Sequence, residues 1–308
     1  MGALDAESLW NKSRRFVRAG IDARDERRFD DFCFSCAISL ELLGKAMLAR
    51  LHPSLVADPN HVDSLFLACG KVFTQDPKTI LAKTVFERIS KLSKEFDQTQ
   101  IKFCIQMTGR RNADLHSGEL PFEGLDPNSW APHFWRAAQL MLAIHGLALN
   151  DWVGDAEGAR AVGLLRAAAT VLDQAIEGRI ERSRRAFGDA YRAPVGVTRI
   201  REQARGGRLV RTTDFGSYDG DVFQQQTCPA CGCDGLLSAD RWAEDEGEID
   251  EDSGIEHVTV HYTSLAFRCG VCDLKLNGHD ELSRAGIELE FESDEEREIE
   301  YEEPYLNE

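Results

Sequence analysis

The sequence predicts an all-α helical bundle over its first 190 residues, followed by a small C-terminal β domain. Apolar residues in the first part recur every three or four positions, which is the spacing of helices that bury one face. Residues 258–265 instead alternate with period two, as a half-buried strand does. A chain of 308 residues is long enough to hold both parts.

The clearest helical pattern runs over residues 29–51, where apolar and small side chains form one stripe. His52 and Pro53 end this helix, because the residue before a proline is pushed out of the helical region. Prolines fall in or beside most of the remaining connections. Further helices are predicted near residues 5–27, 61–74, 79–97, 99–117, 132–150 and 156–187. Together they form a helical domain over residues 1–190.

The composition changes after the helical domain. Residues 179–211 carry ten arginines against three acidic residues, and glycines and a proline interrupt the second half of this segment. We expect a basic linker over residues 191–221, and the arginines form either a phosphate-binding strip or a solvated helix end. A β domain with an acidic insertion follows over residues 222–292. The glutamate-rich residues 293–308 are expected to form a disordered tail.

The net charge of −17 is concentrated at the C-terminal end of the chain. Residues 240–308 have a net charge of −18, so residues 1–239 have a net charge of +1. Acidity of the whole chain therefore does not exclude nucleic-acid binding by the first part. The sequence has no signal-peptide core and no apolar run of about 18 residues, so we expect a cytoplasmic protein that does not span a membrane.

Two Cys-x-x-Cys pairs in the β domain predict a metal site. Cys228 and Cys231 form the first pair, and Cys269 and Cys272 form the second. Four thiolates complete a tetrahedron around Zn²⁺ and leave no open position for catalysis, so the zinc would be structural. The stretch resembles a zinc ribbon. Cys233 is interpreted as a spare thiol, and Cys33 and Cys36 as core residues of the helix over 29–51.

A second cluster of polar residues lies where the helix over 99–117 meets a Ser-Gly turn. Asn112 and His116 are four residues apart and share a helix face, and Arg111 is long enough to reach the same point. A permanent cation, an amide and a group that titrates near neutral pH suit metal-free cleavage of a phosphodiester. Such a short pattern also arises by chance, and the alternative is a surface or capping histidine.

The motif and its helical context resemble the HEPN superfamily, whose signature is Arg-x4–6-His and often Arg-Asn-x-x-x-His. Here the signature is Arg111-Asn112-Ala-Asp-Leu-His116. The helix that carries Glu41 and Lys45 is similar to the second helix of many members. Glu41 is an accessory candidate that either tunes His116 or pairs with Lys45. Arg110 also fits the allowed spacing, although the asparagine that follows Arg111 favours Arg111.

This resemblance implies a metal-independent endoribonuclease, commonly a toxin or an antiviral defence effector. It implies an RNA substrate, a homodimer whose two motifs line one cleft, and leaves room for a regulatory protein partner. His116 would act as general acid or base, Arg111 would stabilise the phosphorane-like charge, and Asn112 would orient His116 or the phosphate. The alternative is a non-catalytic HEPN-like dimerisation module, with the zinc ribbon recognising nucleic acid or protein.

Overall fold

The computed structural model describes residues 2–245, 247–250 and 254–298. The chain divides into two compact units, residues 1–173 and residues 174–308. The boundary between the units falls inside one long helix of 36 residues, so each unit contains part of it. That helix ends at Ala190, close to where the composition of the chain changes.

Within the described residues, nine α-helices precede the first strand. They are α1 (Ala6–Asp25), α2 (Phe29–Leu51), α3 (Val62–Ala68), α4 (Ala82–Ser90), α5 (Gln98–His116), α6 (Pro127–Ala143), α7 (Leu149–Val153), α8 (Asp155–Ala190) and α9 (Pro194–Ala204). The later elements are β1 (Val222–Thr227), β2 (Asp234–Glu244), β3 (Glu248–Asp250), β4 (Ile255–Arg268), β5 (Lys275–Asn277), α10 (Gly278–Arg284) and β6 (Glu290–Glu298).

Helix α2 is the centre of the first unit and packs against α1, α4, α5 and α6. Gly44 allows α4 to approach, because a Cβ at this position would lie 2.6 Å from Cγ1 of Val85. At the other end of α2, the rings of Phe32 and Trp130 have centroids 4.9 Å apart. Cys33 and Cys36 are fully buried in this core, which confirms their interpretation as packing residues.

Helix α2 is also the one described helix that is long and apolar enough to cross a membrane by length and composition. Its most apolar window is 72% buried within the unit. A buried core helix passes the same test as a membrane span, and the contacts of α2 with four neighbouring helices account for its apolar character. Helix α2 therefore serves as a core element of the first unit.

The second unit is built on an antiparallel sheet with β4 at its centre. Along one side of β4 lie β2 and β3, and β1 pairs with the outer side of β2. Along the other side of β4 lie β5 and β6. The register between β2 and β4 shifts at two places, between Ser238 and Ala239 and between Arg241 and Ala243. Such bulges increase the local twist of a sheet.

The predicted fold class, an all-α bundle with only a small β domain, is wrong for this chain. The N-terminal region is helical, but six strands of the described residues form one sheet, including strands of 11 and 14 residues. The period-two pattern at 258–265 marks only part of β4, because its two ends lack that alternation. The protein therefore combines a helical unit with a unit that contains a large antiparallel sheet.

Two segments differ from their expected local structure. Residues 293–298, which the sequence places in a disordered tail, form part of β6 and pair with β4. Charged residues have low strand propensity, but here Arg241 of β2 bonds Glu295 of β6 at 2.9 Å and compensates part of the charge. Residues 299–308 of the expected tail lie outside the described residues. Helix α9 forms within the expected linker, beginning at Pro194, a residue preorganised for the first turn.

Candidate active site and metal centre

Helix α5 carries the Arg-Asn-x-x-x-His motif at its C-terminal end. The helix begins after Asp97, whose carboxylate accepts a hydrogen bond from the backbone N–H of Thr99 at 2.7 Å. Side chains spaced three residues apart, Ile101, Cys104 and Met107, anchor its first half in the core. After Met107 no residue of α5 is buried, so the motif lies on the accessible end of a well-anchored helix.

Arg111 and Glu41 form an ion pair between α5 and α2. Nη1 of Arg111 donates to Oε2 of Glu41 at 2.7 Å, and Nζ of Lys45 donates to Oε1 of the same carboxylate, also at 2.7 Å. The exposed fractions of the three side chains are 18%, 13% and 9%, so the pairs are largely shielded from water. Lys45 also donates to Oγ1 of Thr79 at 3.0 Å. We call these four residues the Glu41 network.

Of the two alternatives for Glu41, the structure shows the pairing with Lys45, and the other carboxylate oxygen bonds Arg111; none of the described bonds joins Glu41 to His116. Burial alone would raise the pKa of Glu41, but the two cations outweigh it and the pKa lies below its ordinary value of 4.5. The carboxylate is therefore charged at neutral pH. A charged carboxylate fixes the guanidinium of Arg111 at the surface of the helical unit.

Asn112, which is exposed, also bonds the guanidinium of Arg111. Its Oδ1 accepts hydrogen bonds from Nη2 of Arg111 at 2.7 Å and from Nε at 3.1 Å. Within the described part of the chain, Arg111 uses three of its five N–H groups, which leaves two for a ligand. Arg110 is directed elsewhere, because its Nη1 donates to the backbone oxygen of Pro121.

His116 is the last residue of α5, and its side chain is exposed. It lies one turn after Asn112 on the same helix face. The structure brings Arg111, Asn112 and Glu41 into direct contact, whereas none of the described hydrogen bonds or ion pairs involves the His116 ring. The structure thus shows an exposed histidine on the same helix as Arg111, without a direct contact between the two side chains among the described bonds.

Sequence reasoning missed one member of the Glu41 network, Thr79. It lies 34 residues from Lys45, in an extended segment that makes an isolated bridge with Ala57. A lone threonine outside a regular element gives no local signal of such a contact. The pairing of Glu41 with Lys45 did have a signal, because the two residues are four apart on a helix.

The second candidate site is the four-cysteine cluster of the sheet unit. The first pair follows β1, and the second pair lies between β4 and β5, so the antiparallel sheet brings both turns to the same end. The sulfur atoms of Cys228, Cys231, Cys269 and Cys272 all lie within 4.8 Å of one another. Backbone N–H groups of Cys228 and Cys269 bond the oxygens of Cys233 and Leu274 at 2.9 and 3.0 Å, which closes both turns.

This donor set fits a divalent metal ion such as zinc. Four sulfurs at these separations can surround one ion tetrahedrally. Hydrogen bonding among the four thiols lowers the pKa of Cys231 and Cys269 and raises the pKa of Cys228 and Cys272. Gly232, with φ of +67°, supplies the left-handed backbone that the first turn needs. Cys233 is buried beside the cluster but is not one of the four converging thiols.

Comparisons with models of protein families, with curated proteins and with solved structures find no match to this chain.

Proposed function

We propose that this protein is a metal-independent endoribonuclease of the HEPN type that acts in the cytoplasm. The observation that carries the proposal is the fixed guanidinium of Arg111, held by Glu41 and bonded to Asn112 on a helix that ends in the exposed His116. A positioned cation and an accessible acid–base group are two of the parts that suit phosphodiester cleavage without a metal.

The reaction would be a transesterification within the RNA. One group removes the proton from the 2′-hydroxyl, whose oxygen then forms a bond to phosphorus as the bond from phosphorus to the 5′-oxygen breaks. A proton passes to the departing 5′-oxygen, which leaves a 2′,3′-cyclic phosphate and a 5′-hydroxyl. His116 would supply one of these two proton transfers, which contributes about 10²–10⁴ in rate.

Arg111 would stabilise the charge that develops on the phosphoryl oxygens in the transition state. Two of its N–H groups make no hydrogen bond to the residues that the structure describes, and guanidinium groups bind phosphate oxygens in a bidentate manner. Asn112 would position the guanidinium, because it accepts two of the other three hydrogen bonds. Glu41 would act as a positioning residue that neither contacts nor protonates the RNA.

A homodimer is part of the proposal, since two copies of the motif facing one cleft would supply more than one acid–base group. One histidine cannot be base and acid at the same instant, and a second His116 would provide the other proton transfer. In this setting the enzyme would act as a toxin or antiviral effector, with a regulatory protein partner to restrain it.

Zinc at Cys228, Cys231, Cys269 and Cys272 would be structural. When bound, it would crosslink two turns of the sheet unit, and four thiolates leave no position for water or substrate. None of the proton transfers proposed above uses these residues. The cleavage reaction should therefore require no added metal ion.

The second candidate function is a non-catalytic dimerisation module whose cysteine-bearing unit recognises nucleic acid or protein. Its supporting observation is that Arg111 makes three hydrogen bonds within the protein, as a structural arginine would. Under this function, substitution of Arg111 would alter stability and no catalytic activity would depend on His116.

The decisive experiment compares wild type with His116→Ala on a pool of transfer and messenger RNA. We expect wild type to release 2′,3′-cyclic phosphate ends and His116→Ala to release none, with an unchanged melting temperature. His52→Ala is the matched control, because His52 is also exposed at the C-terminal end of a helix. Identical RNA profiles for wild type and His116→Ala would refute the enzyme proposal and favour the binding module.

A further inference from the structure

The segment from α9 to residue 215 packs against both cysteine turns of the sheet unit. The backbone N–H of Gly206 donates to Oδ2 of Asp234, three residues after Cys231, at 3.0 Å. At the other turn, Gly270 lies so close to the segment that a Cβ there would be 2.2 Å from the oxygen of Leu209. The segment is thus held in place by contacts on two sides, and it is not a free linker.

Arginines of this segment and of α8 consequently lie beside the cysteine turns. Nη2 of Arg184 donates to the oxygen of Pro229, inside the first turn, at 3.3 Å. Nη2 of Arg201 lies 3.6 Å from where a Cβ of Gly232 would be. Arg205 and Arg208 flank the turn at Gly206 and Gly207. This turn packs against the start of β2, since a Cβ at Gly207 would lie 3.1 Å from the oxygen of Gly235. We call Arg184, Arg201, Arg205 and Arg208 the arginine surface.

No ion pair among the described residues joins the arginine surface to a carboxylate, although the charge of Arg184 contributes, after that of Arg185, to lowering the pKa of Glu181. All four side chains are exposed, and none of the described ion pairs includes them. Other arginines of residues 179–211 do pair: Arg179 with Glu281, Arg185 with Glu181 and Arg192 with Asp189. The unit therefore contains both compensated and uncompensated arginines within a short length of chain.

Three carboxylates of β6 bond partners on the sheet itself. Glu295 bonds Arg241 and Tyr262, and Glu292 lies 3.2 Å from Nδ1 of His261. Asp294 accepts a hydrogen bond from Thr259 at 3.0 Å. The negative charge of these three residues is thus directed at partners other than the arginine surface.

We propose that the arginine surface binds the phosphodiester backbone of single-stranded RNA, at a site separate from Arg111 and His116. Residues 179–211 contain arginine and no lysine, and guanidinium groups match phosphate oxygens in a bidentate geometry that ammonium groups lack. The proposal takes RNA as the ligand from the proposed function. Binding at this surface is nevertheless measured without cleavage, so the two proposals fail independently.

The contacts would be to phosphates and not to bases. The aromatic residues nearest in sequence, Phe187 and Tyr191, have ring centroids 5.1 Å apart and pack against each other. Both residues are half-buried and their rings contact each other at a tilt of 40°. We therefore do not expect them to stack on RNA bases. Recognition should therefore be independent of sequence and strongly dependent on salt.

The test uses full-length His116→Ala protein and a labelled 30-nucleotide oligouridylate, with the dissociation constant measured between 50 and 200 mM NaCl. The test variant adds Arg201→Gln, Arg205→Gln and Arg208→Gln. Each phosphate contact contributes about 0.7 to the slope of log K against log salt for single strands. Loss of three contacts should lower the slope by about 2 and weaken binding at 50 mM salt by at least 10-fold.

The matched control is Arg160→Gln/Arg185→Gln/Arg192→Gln, which removes the same charge from exposed arginines that lie near carboxylates. We expect this control to change the slope by less than 1. Equal effects of the two triple variants, or displacement of the RNA by polyglutamate of equal charge, would overturn the proposal. The metal content of both triple variants is also measured. If the test variant has lost metal because of Arg201→Gln, the double variant Arg205→Gln/Arg208→Gln replaces it. This double variant should still lower the slope of log K against log salt by more than 1.

Discussion

Arg111 and Glu41 lie 70 residues apart in the chain, yet their side chains join at 2.7 Å across the interface of α5 and α2. The contact gives the catalytic candidate a fixed orientation on an otherwise accessible helix end. It also ties that orientation to the core, because the same carboxylate bonds Lys45, whose side chain is only 9% exposed. Changes at Glu41 should therefore affect both stability and activity.

Glu41→Gln should lower the free energy of unfolding of the helical unit by about 3 kcal/mol, because it leaves the buried ammonium of Lys45 without a countercharge. Urea unfolding followed by far-UV circular dichroism measures the change. Glu181→Gln, which removes an exposed ion pair with Arg185, should leave unfolding unaltered. Equal stabilities of wild type and Glu41→Gln would contradict the role assigned to the Glu41 network.

The same carboxyl group should make stability depend on pH. The pKa of Glu41 in the folded protein lies below its unfolded value of 4.5. The contribution of the carboxylate to folding stability is therefore complete above pH 4.5 and is lost as the pH falls through the folded pKa. The destabilisation caused by Glu41→Gln should accordingly shrink between pH 6 and pH 3. Unfolding of both proteins across this range tests the sign, and a penalty that grows toward low pH would be inconsistent with it.

Arg111→Lys should reduce RNA cleavage by about 10²-fold or more while keeping the positive charge. The substitution removes the planar fork that bonds Glu41 and Asn112 and that would hold the phosphoryl oxygens. Initial rates on a defined RNA substrate measure the effect. Arg110→Lys is the control, since Arg110 contacts only the backbone of Pro121 among the described bonds, and it should retain full activity.

Removal of metal should unfold the sheet unit, because bound zinc contributes about 10–16 kcal/mol in small thiolate sites. Mass spectrometry of the native protein should find one zinc per chain, and Cys272→Ser should reduce it. Cys69→Ser, at an exposed thiol of the helical unit, and Cys233→Ser should both retain the metal. Full zinc occupancy in Cys272→Ser would remove that residue from the ligand set.

The sequence predicted those features that have a local signal. The stripe over residues 29–51 marked α2 with its observed bounds, and the two Cys-x-x-Cys pairs marked four thiols that the fold brings together. The four-residue separation of Asn112 and His116 predicts that they share one face of α5. Each of these predictions depends on spacing along a short stretch of chain, where local geometry decides the outcome.

Features that depend on distant partners had no such signal. The contact of Arg111 with Glu41 follows from the packing of α5 on α2, which neither helix encodes alone. Strand β6 reads as an acidic tail because its own propensity is poor, and only pairing with β4 makes it a strand. The fold class was wrong for this reason, since the extent of the sheet depends on long-range pairing.

Strand β6 has one further consequence, which concerns self-association of the sheet. Among the described residues β6 pairs with β4 alone, so its other side is an edge, and six of its nine residues are acidic. Two such edges from neighbouring molecules would repel each other at neutral pH. This repulsion opposes edge-to-edge pairing of the sheets of two copies. An open edge that would invite aggregation is in this way protected by like charge, and a homodimer would have to form through another surface.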